Sequence, residues 1–345
     1  MNGRQRLNSA LRGGQPDRVP VWCLLSIGHI IRNGTPTGEI PRVIEEYIEA
    51  ECNCTRNYGF DGVLLYLPGT QAGTEVHDLL DLWINGAPQG AANHDFDSAD
   101  PLAWPSEMTR YDESNFYSSH LARSLLGMDY HLGGWAADGF SRAIQWFPNL
   151  EDALIATLQD PGKFKALVDY FDQQSITWAR AQVELGRLES IQISSPYSGA
   201  MFLSLPAYRE LVFDSVRKLA REVQAGGGIA YLHTCGNITD RLELFVETGV
   251  DGIECMDPPP LGDTTLREAK EQVGDRIALK GNIDSVNVLL RGDADLVDRT
   301  IRETLSIGKP GGGYVLSTAC SVAPAVKPER VRRLFEIAAE IGNYC

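Results

Sequence analysis

From Leu188 onward the chain alternates short apolar runs with amphipathic stretches, and this alternation constrains the fold more than any other feature. The runs SIQISS, IAYLH, GIECM, IALKGN and YVLSTA are near-continuous in apolar residues, as strands covered on both faces should be. Between them lie AYRELVFDSVRKLAREV, TDRLELFVETG, LREAKEQVG and ADLVDRTIRETLSIG, and PERVRRLFEIAAEIG closes the series. In that last stretch Val331, Leu334, Phe335, Ala338 and Ile341 fall at helical spacing and form one apolar stripe. The first half adds three strand candidates, VPVWCLL, GVLLYLP and DYHLGGW. Ile40, Val43, Ile44, Tyr47, Ile48 and Cys52 mark a helix between the first two. Eight strands, each generally followed by a helix, predict an α/β fold of the (β/α)8 TIM-barrel type rather than an open doubly wound sheet.

One stretch breaks the pattern. Residues 70–127 include NGAPQGAANHDFDSADPLAWPSEM, rich in Gly, Pro, Asn and Asp and without periodicity. So long a connection is usually functional, a lid or cap over a site, or else partly disordered. With no internal repeat and no linker, residues 1–345 read as a single domain with this elaborated loop after the second strand.

Composition narrows the partners. A formal net charge of −15 argues against nucleic acid or an anionic membrane surface, which need clustered Lys and Arg. No apolar run reaches bilayer-spanning length, and the opening MNGRQRLNSALRGG has no export signal, so a cytoplasmic location is expected. The runs AGGGIA and KPGGGYV precede strands, which makes them turns rather than phosphate cradles.

Reactive groups of a parallel barrel gather at the C-terminal ends of its strands. His233 and Cys235 follow the fifth candidate strand, Glu254 ends the sixth, and Cys320 ends the eighth. Sulfur and nitrogen donors brought together by a fold rather than one hairpin suit a catalytic Zn²⁺. His233, Cys235 and Cys320 would leave a position for substrate, with Glu254 a ligand able to step aside; His233 and Glu254 are also the candidate catalytic groups. Singly, each has a plainer reading, since a strand-end His is commonly a hydrogen-bonded core residue and free Cys a buried one. Their convergence on one rim favours the metal. Cys23, Cys52, Cys54, Cys255 and Cys345 read as structural or incidental; Cys255 follows Glu254 on a strand and should point to the opposite face. Tyr66, Trp135, Tyr197, Asn282 and Asp284 stand near strand ends as substrate contacts or rim packing, and His29, after the first strand, could reach the site.

RLNSALRGGQPDRVPVW, ISSPYSGAMFLSLPAYREL, LKGNIDSVNVL and GGGYVLSTACSVAPAVKPERV, in that order, resemble the uroporphyrinogen decarboxylase superfamily along nearly the whole chain. That resemblance implies a (β/α)8 barrel. The decarboxylases carry an Arg-rich segment after the first strand and an Asp after the second; here CLLSIGHIIRNG and LLYLPGT stand in those places. What remains resembles the corrinoid-dependent methyltransferase branch, whose signature His-x-Cys, long gap, Cys is matched by His233, Cys235 and Cys320. Cobalamin-independent methionine synthase is similar, with a Glu where Glu254 stands. The resemblance implies zinc and a corrinoid (cobalamin) carried by a separate protein. It also implies a small methylated substrate (methyl ether, methylamine or thiol) or a thiol or tetrahydrofolate-type acceptor; demethylation is the expected direction, because the long 70–127 segment could enclose a small substrate. A metal-free decarboxylase and a non-catalytic zinc- or corrinoid-binding accessory protein are the alternatives.

Overall fold

The computed structural model describes residues 1–85, 94–105 and 109–344. Among the described residues seven parallel strands follow one another in chain order, each hydrogen-bonded to the next. They are β1 (Gly62–Leu64), β2 (His131–Ala137), β3 (Ser190–Ser194), β4 (Ile229–Thr234), β5 (Gly252–Cys255), β6 (Ala278–Ile283) and β7 (Tyr314–Thr318).

The expected first strand is the exception. Residues 19–25 run extended between β7 and β1 without forming a regular ladder. Toward β7, Trp22 N–H donates to Leu316 O at 3.1 Å and Leu316 N–H to Pro20 O at 2.9 Å. Toward β1, Asp61 N–H reaches Val21 O at 2.9 Å, but Val21 N–H is taken by the Asp61 carboxylate at 2.8 Å. Pro20 has no N–H to give. The count of eight therefore becomes seven strands and one extended segment in the eighth place.

The helices Leu266–Val273, Ala294–Gly308 and Pro328–Ile341 fall where the periodicity puts them, whereas the one helix expected over AYRELVFDSVRKLAREV is two, Leu205–Leu211 and Phe213–Ala225, parted at Val212. Helix Ile44–Tyr58 matches the stripe read before it, starting later and running further. Three helices stand between β2 and β3: Gly139–Trp146, Leu150–Gln159 and the long Pro161–Glu184. One core fills the layer between strands and helices. A second lies inside the barrel, where Trp22, Leu64, Ile229, Tyr231 and Val315 meet Leu7, Ala10 and Leu11. Those last three belong to helix Gly3–Leu11, which plugs the N-terminal end of the strands. It is tied down by Arg6, which pairs with Asp61 at 2.6 Å.

Residues 70–127 divide. Tyr117–Leu126 is a regular helix packed on Ile44–Tyr58 and so part of the outer layer. Earlier residues dock through aromatic pairs: His94 stacks on Trp146 at 4.8 Å, Trp104 meets Tyr170 edge-on at 4.9 Å, and Phe116 stacks on Trp178 at 5.7 Å. Residues 86–93 and 106–108 of the expected lid lie outside the described residues. Among the described residues no helix is long and apolar enough to cross a membrane.

Candidate metal centre

The strand pleat decides which side chains reach the barrel interior. On β4, Ile229, Tyr231 and His233 share the inward face, and the register sets His233 beside Glu254 and Glu254 beside Lys280. Cys235 lies just beyond β4 in a turn locked from two sides. Gly236 N–H donates to Asp257 Oδ2 at 2.8 Å, and Ala200 N–H to Asn237 O at 2.7 Å. Gly199 is required here, since a Cβ would stand 2.5 Å from Cys235 O. Cys320 follows β7 between two backbone anchors, Ala319 N–H to Ile283 O and Val322 N–H to Leu24 O, both at 2.8 Å.

These placements bring His233, Cys235 and Cys320 together, with a fourth member, Cys255. The four donor atoms lie within 4.8 Å of one another. Cys235 Sγ is 3.4 Å from His233 Nε2 and 3.9 Å from Cys255 Sγ. Donors around a tetrahedral Zn²⁺ stand roughly 3.5–3.8 Å apart given its usual bond lengths, so this nitrogen-and-sulfur set fits that ion. Pleat alternation sends Cys255 the other way, and the backbone explains why it does not go: Cys255 has φ 87° and Met256 φ 53°, both left-handed. The strand twists out of its pleat at its last residue and returns the thiol to the cluster.

Glu254 stands behind the cluster. Its Oε2 accepts from His233 Nδ1 at 3.1 Å and from Gln192 Nε2, and its Oε1 pairs with Lys280 Nζ. Both Glu254 and Lys280 are 1% exposed. Lys280 Nζ also sits 3.9 Å from the Trp22 ring and 5.1 Å from that of Tyr231. Burial alone would push the Glu254 carboxyl up; Lys280 and His233 outweigh it and bring it down to about 2. An ionised Glu254 assigns the proton to Nδ1 of His233 and turns Nε2 toward the sulfurs. Hydrogen bonds from Cys235 and Cys255 hold the Cys320 thiol far below the usual thiol range, whereas burial pushes that of Cys255 up. Burial opposes charge on His233, but the neighbouring sulfurs of Cys235 and Cys320 raise it.

The other sequence candidates are spread more widely. Tyr66 donates its hydroxyl to Leu25 O at 2.6 Å, and its own carbonyl accepts from Trp135 Nε1 at 3.0 Å, so these two rings form one wall inside the barrel. Tyr197 packs edge-on against Phe202. Asn282 donates to Met256 O at 2.8 Å, and Asp284 caps the turn at Ser285–Leu290 through Val286 and Asn287 N–H. Both line a cavity of about 640 Å³ with Arg267 and Pro258, and none of the four cluster residues lines it. His29 is corrected from a site residue to a structural one: fully buried, it meets Ala323 O at 3.0 Å and the Tyr58 hydroxyl at 2.8 Å, which leaves neither ring nitrogen free. Cys23, Cys52 and Cys54 are buried in the outer core, and Cys345 lies outside the described residues. Sequence reasoning missed Lys280 and Gln192, although a Lys within IALKGN and a Gln within SIQISS are polar residues inside buried strands and therefore need partners.

A parallel α/β barrel with a His/Cys cluster at the C-terminal ends of its strands is thus the class of protein defined here. Residues 132–341 match the model of the uroporphyrinogen decarboxylase (URO-D) family, and the chain belongs to that family. It is 26% identical to a uroporphyrinogen decarboxylase of Saccharopolyspora erythraea, across 96% of this chain and 93% of that one. It is 28% identical to the methylcobamide:CoM methyltransferase MtaA of Methanosarcina barkeri, across 50% of this chain and 47% of that one. A methyltransferase from Methanosarcina mazei shares the fold at a TM-score of 0.74 and 20% identity, over 99% of both chains.

Proposed function

We propose that this chain is a zinc-dependent methyltransferase that moves a methyl group between a small methylated substrate and a corrinoid carried by a partner protein. The observation that carries this reading is the convergence of His233, Cys235 and Cys320 with their donor atoms within 4.8 Å of one another. The methylcobamide:CoM methyltransferase among the relatives supports it. Zn²⁺ bound there would act as a Lewis acid on the heteroatom that carries or receives the methyl group, or hold a thiol as its thiolate.

The chain's own residues prepare that chemistry. Cys235 and Cys320 are partly exposed and face the mouth, while His233 and Glu254 are buried behind them. Glu254 keeps the His233 proton on Nδ1, so that Nε2 presents a lone pair to the ion. Lys280 and Gln192 keep Glu254 ionised and fixed. In this reading Glu254 is a positioning residue rather than a ligand. Tyr66 and Trp135 supply an aromatic wall for a methyl ether, methylamine or thiol. Demethylation of the small substrate is the direction proposed.

Decarboxylation is the second reading, favoured by the relative matched along nearly the full chain. Porphyrinogen carboxylates need free cations, and the one buried Lys at this end of the described barrel, Lys280, is already neutralised by Glu254. The test is metal analysis of purified protein with methyl-transfer assays, using methylcobalamin with thiols and reduced corrinoid with methyl ethers or methylamines. One zinc per chain, lost together with methyl transfer in Cys320→Ser, is expected. A metal-free protein that decarboxylates porphyrinogens would overturn the proposal.

A further inference from the structure

The four-membered cluster poses a problem for a catalytic ion. A tetrahedral site with four protein donors is closed, and catalysis by zinc needs one position for a substrate. One of the four must therefore be able to leave.

The structure distinguishes them by how each is held. His233 sits inside a regular strand, with its ring fixed by Glu254. Cys235 sits in the turn locked by Asp257 and by Ala200, and Cys320 lies between two interstrand hydrogen bonds. Cys255 is held by the opposite means. Two successive non-glycine residues, Cys255 and Met256, must adopt left-handed φ to deliver its sulfur, a conformation in which L side chains crowd the backbone. Letting that sulfur go allows both residues to relax toward the extended conformation of the strand they end. Gly281 closes on this turn from the next strand, where a Cβ would stand 2.8 Å from Cys255 O. The strained turn is thus tightly enclosed on its β6 side.

We propose that Cys255 is a fourth, exchangeable donor: it closes the resting site as one nitrogen and three sulfurs, and it yields its place to the heteroatom of the substrate. The exchange is a substitution at the metal with no net redox change. The departing thiolate takes up a proton, and the incoming thiol gives up one. This inference rests on the zinc reading above.

The test uses protein loaded with Co²⁺ in place of Zn²⁺ and ethanethiol as the incoming donor. Resting wild type should show thiolate-to-cobalt charge-transfer absorption for three sulfurs, and Cys255→Ala should lose about one third of it while still binding one metal per chain. Metal affinity in Cys255→Ala should fall at least as far as the roughly 10- to 100-fold typical of losing a supporting residue. Ethanethiol should restore the lost absorption in Cys255→Ala and bind that variant more tightly than wild type, in which it must first displace Cys255. In wild type the intensity should stay constant as ethanethiol binds, one sulfur replacing another. Binding in wild type is followed separately by competition with the selenol analogue, detected by cobalt–selenium scattering. Cys255→Ser, closer in shape, guards against misfolding of the alanine variant. Wild-type spectra and affinity in both variants would overturn the inference and leave the three-donor zinc site intact. Rising intensity on ethanethiol addition to wild type would do the same, since it means addition without exchange. A wild-type protein that binds neither metal would overturn this inference and the zinc reading together.

Discussion

Two glutamates, one in each half of the molecule, are buried equally, at 1% exposure, and are in opposite states. Glu254 on β5 has partners on both oxygens: Lys280, Gln192 and His233. Glu51, on helix Ile44–Tyr58, accepts from Tyr66 N–H at 3.1 Å, and its Oε2 makes no hydrogen bond of good geometry among the described residues. The buried Tyr47 hydroxyl faces the same carboxyl without a well-formed hydrogen bond, and its pull on Glu51 is outweighed by burial. A cavity of about 10 Å³, the size of one water, lies between Glu51, Trp22 and Tyr66. The carboxyl of Glu254 is pulled down to about 2, and burial pushes that of Glu51 up to about 8. Burial fixes how much an ionised group costs; the neighbours decide whether it ionises. Around Glu254 the charge is kept and used to orient a donor. Around Glu51 it is suppressed, and the group serves as a protonated prop for Tyr66.

The largest expected effect comes from breaking the charged region at its far end. Lys280→Met keeps the length and apolar stem but leaves Glu254 buried and uncompensated, which should cost about 3–5 kcal/mol in urea unfolding. Adding Glu254→Gln should recover much of that loss, because the uncompensated charge is then gone. If the single Lys280→Met variant is as stable as wild type, the two buried glutamates do not differ in the way their partners imply. Closer to function is Glu254→Gln alone, which also costs stability because the buried Lys280 keeps only the Trp22 and Tyr231 rings. It leaves the four donors in place and removes the charge that holds the His233 proton on Nδ1. Zinc affinity should fall roughly 10- to 100-fold, read by competition with a chromogenic chelator. An unchanged affinity would show that His233 is oriented by packing alone.

The same contrast explains how much could be read without coordinates. Most helices of the second half were visible, because apolar spacing in segments such as Val331–Ile341 reports burial directly. His233, Cys235 and Cys320 were visible as well, because a regular barrel carries strand ends to one rim. Cys255 was not, because the pleat argument assumes a regular strand and nothing in GIECMD announces left-handed φ at two residues that are not glycine. The extended segment at residues 19–25 was counted as a strand because its apolar run is sound; what interrupts the ladder is the side chain of Asp61, far along the chain. His29 looked available because a sequence shows the imidazole but not the Tyr58 hydroxyl and Ala323 carbonyl that occupy it. Lys280 carried a usable signal, a cation in an apolar run, whose partner only register could name.

For the metal site Glu51→Gln gives the smallest expected effect, and it draws the sharpest contrast. In the unfolded chain this carboxyl titrates near 4.5, and in the folded protein near 8. The folded state therefore holds one extra proton between those values, and stability must fall as pH rises through that window. It is fully retained below about 4.5 and levels off above about 8. Glutamine mimics the protonated group and has nothing to lose, so the variant should match wild type near pH 4.5. Above pH 8 it should be more stable by up to about 5 kcal/mol, the ~1.4 kcal/mol per pH unit that a rise from 4.5 to about 8 implies, with this part of the pH slope gone. Zinc affinity should be unaffected, because Glu51 meets Tyr66 and not His233. Urea titrations of both proteins across pH 4.5–8.5 decide the matter: parallel curves would mean that Glu51 is ionised in the fold, with a partner that the contrast with Glu254 denies it.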